Sequence, residues 1–266
     1  MHTEAAPGTG HSVIETVGLS VRFGGHLAVS DVTCAFNAGT LTAIVGPNGA
    51  GKTTYFNLIS GQVRATSGTV RLHREDITRM TVAQRTKRGI GRAFQLTNLF
   101  PRLSARENIR LAVQARARTG DDFLALWSSH VELIDKAEHF LEIAGLGHHA
   151  ATPASALSHG DQRKLEVALL MAMEPDVYMF DEPTAGMSVD EVPIILDLIR
   201  RVKAQGDKTV LLVEHKMDVI RSLADRIVVL HNGCVVSDGD PAQVMASDVV
   251  REAYLGRAAA AREGAR

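Results

Sequence analysis

The sequence predicts an α/β fold with a mostly parallel sheet, an antiparallel β subdomain near its N-terminal end and a helical insertion. Apolar runs of strand length alternate with helical periodicity over Val177–Leu230, which is typical of a parallel sheet with helices on both faces. Apolar and polar residues alternate over Val13–Phe36 around a turn at Phe23-Gly24-Gly25, which predicts antiparallel strands. From Arg92 to about Leu157 strand-like runs give way to a 3.6-residue period, which predicts the insertion.

The remaining elements follow from the same patterns. Short apolar runs predict strands at Leu41–Val45, Val177–Phe180, Val210–Val213 and Ile227–Leu230. Helical periodicity predicts helices at Thr53–Ser60, Ala105–Arg116, Asp122–Ala144, Arg163–Met173, Val192–Ala204 and Met217–Ala224. His231-Asn232-Gly233 is typical of a hairpin turn. We find no internal repeat and expect one domain over residues 13–256, with a helical subdomain at about residues 92–165, a disordered N-terminus (1–12) and a flexible tail (257–266).

Composition limits the classes of function. The chain has 266 residues, 45% of them hydrophobic, and a formal net charge of −1 with only 5% aromatic residues, so we expect no nucleic-acid partner. We expect no secretory signal, and no stretch approaches the roughly 18 apolar residues of a membrane span. Cys34 and Cys234 stand in no metal-binding spacing, and we expect both to be buried thiols in a reducing compartment.

A glycine-rich loop stands between a predicted strand and a predicted helix. Gly46-Pro47-Asn48-Gly49-Ala50-Gly51-Lys52-Thr53 fits the pattern GxxxxGK[ST] in the context that a phosphate loop requires. Its glycines let backbone N–H groups face an anion, and the helix N-terminus adds partial positive charge. We expect Lys52 to bridge the β- and γ-phosphates of a nucleotide and the Thr53 hydroxyl to hold Mg²⁺.

Two acids end a later strand. The apolar run Val177–Phe180 leads into Asp181 and Glu182, and a parallel sheet would bring them to the edge that carries the phosphate loop. There Asp181 would hold Mg²⁺, and Glu182 would polarise the attacking water as a catalytic residue. Taken alone, the pair is also compatible with two solvated acids at a strand end; the phosphate loop favours the functional interpretation.

Two further polar residues lie at predicted element ends. His215 follows the strand Val210–Val213, where its imidazole could hydrogen-bond the γ-phosphate and hold the water, although a single histidine after a strand is more often structural. Gln95 lies at the entry to the helical insertion, where its amide could reach Mg²⁺. Neither residue is compelling by itself.

The order of these elements resembles the ATPase subunits of ABC transporters over about Val13–Gly256. Seven segments match the family's motifs in order: Phe23 (adenine-stacking aromatic), Gly46–Thr54 (Walker A), Gln95 (Q-loop), Leu157–Gln162 (signature), Val177–Glu182 (Walker B), Ala185–Ser188 (D-loop) and His215 (H-loop). The resemblance implies binding of ATP and Mg²⁺, with Thr53, Gln95 and Asp181 at the metal and residues 46–54, including Thr54, at the phosphates.

The resemblance also implies partners. In this family two ATPase subunits pair head-to-tail, and each ATP contacts the phosphate loop of one subunit and the signature residues, here Ser158 and Gly160, of the other. The second subunit would be another copy or a related chain. Membrane permease subunits would dock on the helical insertion, on the cytoplasmic side of the plasma membrane, and a periplasmic or extracellular binding protein would deliver the cargo. The apolar residues expected to take part in docking are Leu96, Leu99, Phe100, Leu103 and Ile109.

The motifs depart from the family pattern at three positions. His159 and Asp161 replace the usual Gly and Gln of the signature, and Ser188 replaces the usual Asp of the D-loop. These departures put the geometry between the two ATP sites in doubt. Other segments, such as Glu214–Met217, resemble the subgroup that imports branched-chain amino acids, with urea or short-amide importers as the alternative and lipopolysaccharide-export ATPases less similar.

Three other functions remain to be weighed. A non-transport ABC protein, such as a DNA-maintenance or translation factor, usually has long coiled-coil insertions or two cassettes, and neither occurs in this sequence. A switch GTPase would need an Asn-Lys-x-Asp segment, which is absent. A binding protein with a vestigial site would not need to retain both Asp181 and Glu182. We therefore expect the ATP-hydrolysing subunit of an importer.

Overall fold

A computed structural model of the chain describes residues 12–93, 99–117 and 131–247. The predicted Q-loop residue Gln95, Leu96 and the first part of the helix predicted from Asp122 lie outside these ranges. So do residues 1–11 of the predicted N-terminal segment (1–12), residues 248–256 of the predicted domain and the predicted tail (257–266).

The strands and helices are numbered in chain order. The strands are β1 (Ser12–Phe23), β2 (His26–Asn37), β3 (Leu41–Val45), β4 (Ser67–Leu72), β5 (Glu75–Asp76), β6 (Ile90–Ala93), β7 (Val177–Asp181), β8 (Thr209–Val213), β9 (Arg226–His231) and β10 (Cys234–Gly239). The helices are α1 (Lys52–Ser60), α2 (Val82–Lys87), α3 (Ala105–Ala117), α4 (Val131–Ile143), α5 (His159–Ala172), α6 (Val192–Lys203), α7 (Met217–Leu223) and α8 (Pro241–Ala246).

The larger sheet has six strands in the order β10-β9-β3-β8-β7-β6. All neighbours from β9 to β6 pair in parallel, and β10 pairs antiparallel with β9 through the hairpin at Asn232-Gly233. Every residue of β3, β7 and β8 is buried, as expected for the central strands of a sheet covered on both faces. The mostly parallel α/β core predicted from the sequence is confirmed.

Successive side chains of β7 serve two different cores. Tyr178 and Phe180 belong to the core that β7 shares with helices α3 to α7, whereas Val177 and Met179 belong to the core shared with α1 and the smaller sheet. This alternation follows from the two-residue period of a strand. It explains why β7 is apolar throughout although each of its faces meets a different layer.

The smaller sheet is antiparallel and has the strand order β2-β1-β4-β5. The predicted pair around the Gly24-Gly25 turn is confirmed, with Phe23 opposite His26 at the end of the hairpin. β4 and β5 were not predicted from the sequence. β4 begins with Ser67-Gly68 and β5 has only two residues, both acidic and exposed, so neither carries a clear apolar alternation.

The helical region consists of α3, α4 and α5, which contact one another through buried apolar residues such as Ile109, Ala137, Leu141 and Leu165. The predicted periodicity is therefore confirmed for the described part. One boundary differs, because β6 continues past Arg92 to Ala93. Glycine and arginine within this four-residue strand hide its period in the sequence.

The two cysteines differ in exposure. Cys34 is buried, but Cys234 is exposed, because it directly follows the hairpin turn at the start of the sheet's edge strand β10. The expectation that both thiols are buried was therefore wrong for Cys234. Among the helices of the described ranges, none has the length and apolar character needed to cross a bilayer.

Candidate functional site

The loops that follow β3, β8 and β7 meet at one edge of the larger sheet. These strands are neighbours and run in parallel, so their carboxyl ends lie side by side. The loop after β3 carries the glycine-rich motif, β7 ends with Asp181 and leads into Glu182, and β8 leads into Glu214 and His215. Ligands of open α/β sheets bind at this edge.

Two glycines of the loop after β3 are required by geometry. Gly46 has φ 148°, and a Cβ atom there would lie 2.1 Å from the carbonyl oxygen of Leu230. Gly51 has φ 97°, and its Cβ would lie 2.5 Å from the carbonyl oxygen of Ala28. Both positions combine a left-handed backbone with close approach of a neighbouring main chain, so only glycine fits without strain.

The helix after the loop presents its N-terminus to the same edge. α1 begins at Lys52, and its N-cap, Gly51, provides no side-chain hydrogen bond. The first N–H groups of α1 therefore have no capping side chain to accept them, and an anion can do so. The Lys52 side chain is buried, and its Nζ donates to the carbonyl oxygens of Gly46 at 2.8 Å and Pro47 at 3.0 Å.

Main-chain hydrogen bonds from distant segments hold the loop. The amide of Gly233 donates to the carbonyl of Ala50 at 3.0 Å, and the carbonyl of Gly233 accepts from the amide of Ser30 at 2.9 Å. The β9–β10 hairpin thus joins the phosphate loop to β2. The contact fixes the loop relative to the smaller sheet, which carries Phe23.

A cavity of about 390 Å³ lies above this loop. It is lined by residues 48–54 together with Phe23, His26, Ala28, Glu182 and His215. The structure therefore brings together the predicted adenine-stacking residue, most of the predicted phosphate loop and both predicted water-positioning residues. His26 and Ala28 were not predicted; they lie in β2 directly after the Phe23 turn, and only the hairpin pattern could have suggested them.

Asp181 forms a buried ion pair at the end of β7. Its Oδ2 accepts a hydrogen bond of 2.7 Å from Nη2 of Arg92, and the two side chains are 1% and 6% exposed. Burial lowers the pKa of Arg92, although the carboxylate of Asp181 opposes that shift. Among the described residues, none donates a hydrogen bond to Oδ1 of Asp181. A buried carboxylate oxygen without a donor is suited to a cation or a water molecule.

Glu182 and His215 form a pair that lines the cavity. Nε2 of His215 lies 2.7 Å from Oε1 of Glu182, and both side chains remain partly exposed. Glu182 has φ 49°, a left-handed conformation that is uncommon for a residue other than glycine. Strained backbone of this kind concentrates at functional sites. The amide of Glu182 donates to the carbonyl of Val213 at 2.9 Å, which ties the turn to β8.

The main chain at His215 is held by the side chain of the preceding residue, Glu214. One carboxylate oxygen of Glu214 accepts the His215 amide at 2.7 Å, and the other accepts the Thr184 hydroxyl. Glu214 and Thr184 are both buried. The loop after β8 is thereby joined to the loop after β7.

The predicted signature residues lie at the N-terminus of α5. Ser158 is its N-cap, and the Ser158 hydroxyl accepts the amide of Asp161 at 3.1 Å and donates to Oδ2 of Asp161 at 2.8 Å. Partial burial opposes the ionisation of Asp161, but hydrogen bonds from Lys164 and Ser158 outweigh it, so its pKa lies below the ordinary value. Neither Ser158 nor Gly160 lines the cavity of its own chain.

Two arginines of the site were not predicted from the sequence. Arg92 pairs with Asp181, and Arg163 contacts the main chain after β7. Arg92 lies in a strand and Arg163 in a helix, and both contacts join residues far apart in sequence. A single sequence has no local signal for such pairs, so only the three-dimensional structure identifies them.

Family models match two parts of the chain. The model described as ABC transporter matches residues 29–185. The model described as branched-chain amino acid ATP-binding cassette transporter matches residues 234–260. The first covers the phosphate loop, the signature and the acids Asp181 and Glu182, and the second covers β10 and the segment beyond it.

Individual proteins match over nearly the whole chain. A high-affinity branched-chain amino acid transport ATP-binding protein of Pseudomonas aeruginosa is 37% identical over 253 residues, which cover 92% of this chain and 98% of the relative. The ADP conformation of an ATP-binding cassette of an ABC transporter superposes with a TM-score of 0.78 at 27% identity, covering 92% and 99% of the two chains. A dimeric cassette in a post-hydrolysis state with ADP and phosphate gives a TM-score of 0.73 at 26% identity, covering 86% and 98%.

Proposed function

The chain belongs to the ABC transporter family as an ATP-binding, ATP-hydrolysing subunit, and from this premise we propose that it drives the import of branched-chain amino acids through separate membrane subunits. The observation that carries the hydrolytic part is the pair of Glu182 and His215, 2.7 Å apart, in the cavity lined by residues 48–54. The cargo rests on the relative from Pseudomonas aeruginosa and on the family model matched at residues 234–260.

We place the nucleotide along the cavity. The phosphates lie against the N–H groups of the loop and of the first turn of α1, where the helix dipole favours negative charge. Lys52 exchanges its bonds to the carbonyls of Gly46 and Pro47 for phosphate oxygens, which carry full charge. The base stacks on Phe23, whose side chain is half-exposed beside the same cavity.

The residues present also suit Mg²⁺. The Thr53 hydroxyl belongs to the cavity lining, and Oδ1 of Asp181 is a buried oxygen to which no described residue donates a hydrogen bond. Hydroxyl and carboxylate oxygens are ligands that Mg²⁺ prefers. Gln95, outside the described residues, is the third proposed ligand. When bound, the ion neutralises charge on the β- and γ-phosphate oxygens.

Hydrolysis then requires an oriented water. The carboxylate of Glu182 accepts a hydrogen bond from the water that attacks the γ-phosphorus and polarises it. Nε2–H of His215 donates to Oε1 of Glu182 and so fixes the carboxylate; during hydrolysis this one N–H is shared with the γ-phosphate oxygen on which charge develops. Both residues stand on loops tied to each other by Glu214 and Thr184, so their separation is set by the sheet and not by the nucleotide.

The site is completed by a second subunit. Ser158 and Gly160 do not line the cavity of their own chain, and a solved structure similar to this chain is a dimer with ADP and phosphate bound. In the proposed head-to-tail dimer the Ser158 hydroxyl turns from Asp161 to the γ-phosphate of the other subunit. An isolated monomer is therefore a poor ATPase.

Permease subunits dock on the helical region on the cytoplasmic side of the membrane. The Phe100 and Leu103 side chains are 54% and 36% exposed there and are available to a partner. Ile109 is fully buried and belongs to the internal core of the helical region instead. Ile109 is therefore removed from the apolar residues proposed to take part in docking.

The test joins hydrolysis to transport. The purified chain is assayed for Mg²⁺-dependent ATP hydrolysis over a range of protein concentrations, and the specific activity should rise with concentration because two subunits make one site. Membrane proteins that co-purify with the chain are then reconstituted with it in vesicles, with radiolabelled leucine and urea compared as cargo. If the vesicles accumulate urea but not leucine when ATP is supplied, urea replaces branched-chain amino acids as the proposed cargo. If ATP is not hydrolysed with all components present, the proposed ATPase activity is contradicted.

A further inference from the structure

Arg163, in the first turns of α5, reaches the main chain that follows β7. Its Nε donates to the carbonyl oxygen of Pro183 at 3.2 Å, and its Nη2 lies 3.3 Å from the carbonyl oxygen of Asp181 and 3.0 Å from that of Glu182. One guanidinium therefore contacts three consecutive carbonyls. Such a fixed fork of donors is a property of arginine that lysine does not share.

Glu166 holds this guanidinium from the other side. Nη1 of Arg163 donates to Oε2 of Glu166 at 2.9 Å, one turn along α5, and the two side chains are 13% and 7% exposed. Burial raises the pKa of Glu166, although the nearby Arg163 opposes that shift. The ion pair is thus largely shielded from solvent, with Glu166 buried and Arg163 partly buried, and removing one partner leaves the other uncompensated.

Arg163 contacts the main chain of Glu182, whose conformation sets the direction of the Glu182 side chain. The left-handed φ of 49° at Glu182 has to be maintained by its surroundings, because isolated residues avoid this region. On one side the Glu182 amide is held by Val213, and on the other its carbonyl is held by Arg163. The side chain between these two anchors ends 2.7 Å from Nε2 of His215.

We propose that Arg163 is a positioning residue for Glu182, and that Glu166 fixes Arg163 in that role. This inference rests on the proposed function, in which Glu182 aligns the attacking water. Arg163 is not among the residues that line the cavity, and we place its effect in its hydrogen bond to the Glu182 carbonyl. Without it, the turn after β7 samples other conformations and the carboxylate leaves its alignment with His215, while the phosphate loop is unaffected.

The experiment separates positioning from folding. ATP hydrolysis and nucleotide binding are measured for Arg163→Ala and Arg163→Lys, and for Arg201→Ala, an exposed arginine on α6, as the matched control. We expect kcat to fall about 10- to 100-fold for Arg163→Ala with KM for ATP within about threefold, since a misaligned reacting group costs this much. Arg163→Lys should recover only part of kcat, and Arg201→Ala should match the parent chain.

Glu182→Gln, assayed in parallel, distinguishes failure of the positioning role of Arg163 from failure of the proposed function of Glu182. Loss of hydrolysis in Glu182→Gln together with a kcat for Arg163→Ala within about twofold of the parent would overturn the positioning role alone. Unchanged hydrolysis in Glu182→Gln would instead contradict the proposed function. If Arg163→Ala does not fold, Arg163→Lys decides: a lower kcat at unchanged KM supports the role, and a parental kcat overturns it.

A second arm examines Glu166. Glu166→Ala should lower kcat in the same sense as Arg163→Ala, and the double variant should lose no more than Arg163→Ala does, because the two residues act as one unit. Losses of kcat that add in the double variant would overturn the assignment of Glu166. Thermal unfolding of each variant shows whether a loss of kcat accompanies a loss of folded protein.

Discussion

Glu182 and His215 belong to neighbouring parallel strands, and the sheet places Oε1 of the first 2.7 Å from Nε2 of the second. Glu182 follows the last residue of β7, and His215 lies two residues beyond the end of β8. Because Asp181 pairs with Val213 in the sheet register, Glu182 and His215 follow their paired strand ends by one and two residues respectively. Their proximity is a consequence of strand pairing and needs no ligand.

The first prediction concerns this pair. Glu182→Gln should keep nucleotide binding but lower ATP hydrolysis at least about 100-fold, since the amide is a poor acceptor for the proton of water. With ATP present, the variant should elute from size-exclusion chromatography as a dimer. Glu132→Gln, which changes an exposed acid in α4, is the control and should behave like the parent chain. The Glu182→Gln variant should remain a dimer because ATP stays bound between the two subunits without being hydrolysed. A variant that stays monomeric with ATP would contradict this expectation.

The second prediction concerns the phosphate loop. Lys52→Ala should weaken ATP binding at least about 30-fold, because the loop loses its bonds to Nζ and the phosphates lose a charge-assisted donor. Titration with a fluorescent ATP analogue measures the affinity. Lys87→Ala removes an exposed lysine at the end of α2 and serves as the comparison. Equal affinities of the parent and Lys52→Ala would place the nucleotide elsewhere.

The third prediction concerns stability. Arg85 is buried and donates to the carbonyls of Leu58 and Ile59 at 2.7 Å each, where α1 has ended its own hydrogen bonding, and to that of Thr78 at 2.8 Å. Arg85→Met keeps much of the volume but leaves these acceptors unpaired. We expect the free energy of unfolding to fall by about 2–4 kcal/mol.

Urea denaturation measures this change as a shift of the midpoint at unchanged slope. Arg79→Met, at an exposed position six residues earlier, is the matched control and should shift the midpoint little. If Arg85→Met and Arg79→Met have the same midpoint, the carbonyl contacts of Arg85 contribute nothing to stability.

The fourth prediction separates the two thiols. Burial, with a smaller contribution from the Asp238 carboxylate, raises the pKa of Cys34 to about 11, whereas Cys234 is exposed. Because the thiolate is the reactive form, the folded chain at pH 8 should react with a thiol reagent at Cys234 alone. Unfolding should expose the second thiol, and Cys234→Ser should remove the fast reaction. Rapid modification of both thiols in the folded chain would contradict the placement of β2.

The sequence predicted the strands that carry the candidate site because each is a short apolar run followed at once by polar or glycine residues. This holds for β3, β7 and β8, whose bounds differ from the predicted ones by one residue or less at each end. The predicted site residues inside the described ranges, apart from Phe23 and the signature pair, lie at that sheet edge for the same reason, and Phe23 lies at the β1–β2 hairpin of the smaller sheet. Ser158 and Gly160 do not line the cavity of their own chain, and in the proposed dimer they reach the nucleotide of the second subunit.

The missed features depend on distance in sequence. Arg92 contacts Asp181, and Arg85 contacts the end of α1, across 89 and about 26 residues respectively. Neither pairing leaves a periodic trace, because an arginine in a short element resembles an ordinary solvated residue. α2, with its capping box at Thr81 and Gln84, was missed because six residues are too few for helical periodicity to appear.

The bond between Gly233 and Ala50 has a consequence for recognition. The Gly233 amide of the β9–β10 turn holds the phosphate loop at Ala50, and the Ser30 amide holds that turn in place. The loop proposed to bind the nucleotide is therefore already ordered by the rest of the chain. A nucleotide that binds to an ordered loop loses little of its binding free energy to ordering that loop.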